Sequence, residues 1–110
     1  MKSCMSISDF VCYVLRVPAN LDGYAYTCKA IKYLVEHDGS PRFYEHLQAE
    51  YGKSFSCIEK SLRLAKTKAI EQMSSEDYDN IFGKQDDRVT VKEFICYAAQ
   101  YYRKEFINEE

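Results

Sequence analysis

Residues 47–63, Leu47-Gln48-Ala49-Glu50-Tyr51-Gly52-Lys53-Ser54-Phe55-Ser56-Cys57-Ile58-Glu59-Lys60-Ser61-Leu62-Arg63, decide how this chain folds. Apolar anchors at Leu47 and Tyr51 precede Gly52, and Ile58 and Leu62 follow it at helical spacing. Two helices joined by so short a turn are what a helix-turn-helix requires, because the first must brace the second at a steep angle. At roughly 100° per residue, Ile58, Leu62, Ala65 and Ala69 gather on one side of the second helix. Ser56, Lys60, Arg63 and Thr67 fall opposite, with Glu59 at the border. Lys60 and Arg63 are then best placed to meet base edges, where an arginine pairs bidentately with guanine. Ser56 and Lys53 come early enough to touch backbone phosphates beside the positive end of the helix dipole. Lys66 and Lys68 flank the buried stripe and reach for phosphate rather than bases. This unit spans about residues 41–72.

The same 3.6-residue period runs outward in both directions, and no segment reads as a strand. Ser6 or Ser8 can cap a first helix to about Arg16, with Phe10, Val11, Val14 and Leu15 inward; Val17-Pro18 stops it. A second helix covers about Tyr24 to His37, with Tyr24 or Tyr26, Ala30, Tyr33 and Leu34 as its stripe. Asp38-Gly39-Ser40-Pro41 is the strongest break, with Ser40 and Pro41 suited to open the third helix. That helix buries Phe43 or Tyr44, Leu47 and Tyr51, and Gly52 closes it. The fourth helix starts between Ser54 and Ser56, and Ser56 with Glu59 fits a capping box. A short fifth helix covers about Glu76 to Phe82, closed by Gly83. After a polar loop at 84–88, Thr90 caps a last helix to about Asn108, carrying Phe94, Tyr97 or Ala98, Tyr101 and Phe106. Tyr101 is expected in the core and Tyr102 partly outside. The expected fold is all-α: a single six-helix domain over residues 1–110, the size of one core.

Net charge is −2, which argues against a general polyanion binder, but the charge is segregated. Residues 53–73 carry five cations against two anions, a local +3, and residues 74–87 carry five anions against one cation, a local −4. Local charge decides whether a face can meet phosphate. No apolar run is long enough to cross a bilayer, and Asp9 interrupts the N-terminus too early for a secretory signal; the expectation is a soluble, cytoplasmic protein. The five cysteines, at 4, 12, 28, 57 and 96, form no Cys-x-x-Cys pair and no zinc-ligand spacing with His37 or His46. They are expected to be reduced, buried or half-buried thiols.

Enzymatic chemistry finds no footing. The Asp77-Tyr78-Asp79-Asn80-Ile81-Phe82-Gly83 run superficially resembles a calcium loop, but Ile81 and the position of the glycine break the ligand pattern. Cys57 and His46 flank the turn as a conceivable nucleophile and base, without an orienting acid or cleft. No phosphate-binding glycine loop is present. Neither a catalytic residue, a metal nor a cofactor is expected.

The sequence also resembles the C-terminal effector domain of the sporulation initiation factor, a response regulator of endospore-forming bacteria. The resemblance runs from Val17-Pro18-Ala19 through Gly23-Tyr24, Tyr26 and Ala30-Ile31 to Ser56, Ile58-Glu59 and Leu62-Arg63. It continues with Phe82-Gly83 and ends at Glu93-Phe94-Ile95, covering about Leu15 to Arg103 in order. It implies a six-helix, sequence-specific double-stranded DNA-binding domain of a transcriptional regulator, often with two copies on one site. Carried over by position, Ser56, Glu59, Lys60 and Arg63 occupy its DNA-facing surface. Three positions depart from the pattern: Cys57 stands where the family has arginine, Gln48 replaces a small residue between the helices, and Leu64 replaces an outward polar one. Full-length relatives carry an N-terminal receiver domain; the resemblance leaves this sequence either an excised effector domain or a stand-alone relative, and Met1 favours the second. The acidic total, Cys57 and Leu64 also suit a second role, a regulatory module without DNA affinity that pairs with a full-length response regulator.

Overall fold

A computed structural model describes residues 5–37, 42–83 and 89–107. Cys4, the Asp38-Gly39-Ser40-Pro41 break, the polar loop at 84–88 and Asn108 lie outside the described residues. Six helices and no strand are present among those described: α1 Ile7–Asp9, α2 Asp22–Glu36, α3 Phe43–Tyr51, α4 Phe55–Gln72, α5 Ser75–Phe82 and α6 Val91–Tyr102. The expected all-α architecture is therefore the one observed.

Both ends of the helical order relax into wider turns. α1 widens over Phe10–Val14, where Leu15 N–H reaches back five residues to the Phe10 carbonyl at 3.0 Å. The expected first helix reached Arg16, but Arg16 adopts a left-handed φ of 67°, and this reversal ends the helix before Pro18 can. α6 likewise widens over Arg103–Ile107. Ser6, not Ser8, caps α1 by accepting the Asp9 N–H at 3.1 Å. Ser74 caps α5 through the Asp77 N–H, and Thr90 and Glu93 form a reciprocal capping box at the start of α6.

α2 is the hub, lying against α3, α4 and α6. Its buried residues are Gly23, Tyr26, Thr27, Ala30, Ile31 and Leu34, so Thr27 and Ile31 complete the stripe and Tyr33 is only half-buried. Gly23 is required by contact rather than by conformation. A Cβ there would sit 2.4 Å from the Ser61 carbonyl oxygen and 2.7 Å from the Ala65 Cβ, so the backbone of α2 at this point lies directly against the backbone of α4. On the α3 side, Tyr26 meets Tyr51 edge-on at 4.9 Å between ring centres.

α5 packs on α6 through Phe82, which stacks on Phe94 at 5.5 Å. The start of the chain closes on the end of α6, where Phe10 lies 5.1 Å from the Tyr102 ring and the Tyr102 hydroxyl donates to the Met5 carbonyl. This reverses the expected order of the two tyrosines: Tyr102 is buried and Tyr101 half-buried. α6 turns its Phe94, Ala98 and Tyr102 row inward, a spacing that continues the core stripe and leaves Tyr101 beside it.

Candidate nucleic-acid interface

The α3–α4 unit forms as its residues dictate. Gly52 takes the left-handed conformation, φ 65°, that ends α3, and its N–H returns to the Gln48 carbonyl at 2.9 Å. Lys53 and Ser54 complete the turn. Ser54 is the cap of α4, its hydroxyl accepting the Cys57 N–H at 3.2 Å. The expected capping box on Ser56 is thus corrected: the helix begins one residue before Ser56, and Glu59, free of capping duty, bonds to Arg63 instead.

The two sides of α4 divide as the spacing requires. Ile58, Leu62, Ala65 and Ala69 are buried, while Ser56, Lys60, Arg63, Leu64, Thr67 and Lys68 are exposed and Glu59 is half-buried at the border. The Arg63 guanidinium is paired with the Glu59 carboxylate one turn earlier, yet its side chain stays 59% exposed. An exposed i,i+4 pair is worth only about 0.3–0.5 kcal/mol, so a stronger planar acceptor can replace the carboxylate. Lys53 and Lys60 are exposed and form no ion pair among the described residues, and Lys68 stands 4.0 Å from Glu71. Lys66 is held differently: its ammonium donates to the Val89 carbonyl at 2.8 Å, tying α4 to the segment that enters α6. Two ammonium hydrogens remain beyond that bond.

An aromatic element missed by sequence reasoning adjoins this face. Phe55, the first residue of α4, is 49% exposed, and its ring centre lies 4.7 Å from that of Tyr44 on α3. Burial pushes the Tyr44 hydroxyl up to about 12; the Glu59 carboxylate adds to the rise and the Arg63 guanidinium opposes it. Tyr44 thus packs on Phe55 and feels the charges of Glu59 and Arg63 further along α4. The signal available in the sequence was a large apolar residue placed directly after the cap and four residues before Glu59.

Cys57 is exposed, correcting the expectation that every cysteine is at least half-buried; Cys12, Cys28 and Cys96 are half-buried and free. His46 stacks on Tyr33 at 4.7 Å between ring centres, a place in the aromatic packing of α2 and α3. Among the described residues no group of three or more potential ligands could hold a metal ion, and no helix is long and apolar enough to cross a membrane.

These features define a class: an all-helical domain that buries one side of a capped helix and presents the other as an exposed, locally basic face behind a three-residue turn. Comparison with known proteins supplies the family. Residues 10–101 match the family described as sporulation initiation factor Spo0A C terminal, and the chain belongs to it. That family is one of DNA-binding effector domains of a sporulation regulator, not of enzymes. No curated protein matches the chain.

Proposed function

We propose that this protein is a sequence-specific reader of double-stranded DNA in a bacterial transcriptional regulator, acting in the cytoplasm without cofactor or catalysis. The observation that carries the reading is the division of α4, fully buried along Ile58, Leu62, Ala65 and Ala69 and exposed along Ser56, Lys60 and Arg63. In a helix-turn-helix the N-terminal half of the second helix enters the major groove. Lys60 and Arg63 read bases there, with Ser56 and Glu59 in support, and Arg63 exchanges its carboxylate partner for guanine. Lys53, Lys66 and Lys68 hold phosphates, Lys66 from the position fixed by its bond to Val89. Two copies on adjacent half-sites fit the same reading.

Fluorescence-anisotropy titration of a randomised duplex and a sporulation-type operator, each at two salt concentrations, tests it. Preferential operator binding that weakens with salt is the expected result. Absence of binding at tens of micromolar protein would refute it. A second reading, a regulatory module that pairs with a full-length response regulator, is favoured by Leu64, 47% exposed on α4, and by Cys57 in place of an arginine. Complex formation between the purified proteins without DNA supports that alternative.

A further inference from the structure

The exposed phenyl ring of Phe55 has no role in a purely polar account of this interface. Phe55, Glu59 and Arg63 follow one another at intervals of four residues and so lie in one row along α4. The row begins at the end of the helix that meets DNA first in a helix-turn-helix. Tyr44 backs the Phe55 ring from α3, at 4.7 Å between ring centres. Packed on one side and open on the other, the ring has little freedom left to lose on binding. Each feature favours a fixed apolar contact over a loose surface side chain.

We infer that Phe55 is a specificity-determining residue that reads the 5-methyl group of a thymine in the major groove, held in place by Tyr44 as a positioning residue. Major-groove recognition of thymine rests on such apolar contact with its methyl group, for which phenylalanine is suited. The inference rests on the DNA-reading function proposed above. Eight residues of helix separate Phe55 from Arg63, about 12 Å at 1.5 Å per residue. With successive base pairs about 3.4 Å apart, the thymine lies about three to four base pairs from the guanine that Arg63 addresses.

The test uses a duplex recovered by selection from a randomised pool with the whole protein. Each thymine is replaced in turn by deoxyuridine, which removes the methyl group and leaves base pairing intact. One position, about three to four base pairs from the guanine lost in Arg63→Ala, is expected to weaken binding about fourfold, the effect of unburying one methyl-sized group. Phe55→Ala is expected to bind thymine and deoxyuridine duplexes alike, while Phe55→Leu keeps part of the difference. Circular dichroism melting shows whether Phe55→Ala is folded, and Phe55→Leu carries the test if it is not. Salt-dependent binding with no deoxyuridine-sensitive position, or a sensitivity that persists in folded Phe55→Ala, would overturn the Phe55 assignment and leave the DNA-reading function standing. Loss of self-association in Phe55→Ala with unchanged thymine discrimination would assign the ring to a protein interface instead. No DNA selected at all would overturn both.

Discussion

Arg63 carries the sharpest expectation at the scale of the single residue. Its exposed pair with Glu59 is worth a few tenths of a kcal/mol, whereas a bidentate guanine contact is worth about 1–3 kcal/mol. Arg63→Ala should therefore leave thermal stability nearly unchanged, weaken binding at the cognate site by that amount and relax preference at one base pair. An unchanged preference in a binding-site selection would refute the assignment. The thiols divide in the same residue-by-residue way. Cys57 is exposed, while burial pushes the Cys28 thiol up to about 11 and raises Cys96 as well. A thiol reagent at neutral pH should label Cys57 ahead of Cys28 and Cys96, as peptide mapping would show. Tyr44 sets a pH dependence. Its hydroxyl rises from the ordinary 10.0 to about 12 in the folded state, so its contribution to stability is complete below pH 10 and is lost as pH climbs toward 12. Tyr44→Phe should flatten that part of the stability–pH curve, measured by denaturant unfolding. Helical spacing alone separated Lys60 and Arg63 from Ile58 and Leu62. It could not separate Ser54 from Ser56 as the cap, because both hydroxyls suit the position and only the backbone decides. Nor did it mark Phe55, since an apolar residue at a helix start reads as ordinary until a neighbouring helix is seen to back it.

Among the elements, two glycines serve α4 for different physical reasons and should fail differently. At Gly23 an added methyl meets the Ser61 carbonyl and Ala65, so Gly23→Ala forces α2 and α4 apart. The gain in helix propensity, about 1 kcal/mol, is outweighed where backbone must move, and overpacking of this kind costs about 1–3 kcal/mol. At Gly52 a Cβ meets nothing, and the cost of Gly52→Ala is the left-handed backbone alone, about 1 kcal/mol. Thermal unfolding should show both losses, with DNA affinity falling further in Gly23→Ala because the outward face of α4 is displaced. Equal affinity loss in the two variants at matched stability would sink this distinction. Gly52 was legible as a terminator from its place between two apolar runs. Gly23 was not legible as a contact, because the crossing of helices nearly forty residues apart leaves no local pattern. The same limit explains Tyr101 and Tyr102: the period allowed either to face inward, and the Phe10 ring and Met5 carbonyl, from the far end of the chain, select Tyr102.

For the whole molecule, segregated charge outweighs the total. A protein of net charge −2 that binds DNA through α4 should show a salt dependence set by the few cations at the contact, not by overall charge. Lys68→Ala should lower the salt slope by about one and leave stability unchanged. Lys66→Ala should lower the slope similarly and also reduce stability, because it removes the bond from α4 to Val89. A slope unchanged in Lys66→Ala, with stability lost, would leave that lysine a purely structural tie. The all-α class and the order of the helices were open to sequence reading because helical periodicity is strong and breakers are few. How the helices lean on one another was not, since that depends on close approaches such as Gly23 and on rings such as Phe10 that meet partners remote in sequence.

The bond from Tyr102 to Met5 spans 97 residues and brings the first and last helices together. Met5 and Tyr102 are thus neighbours in space although nearly all the described residues lie between them in sequence. The core is defined by which helices touch, not by which is synthesised first.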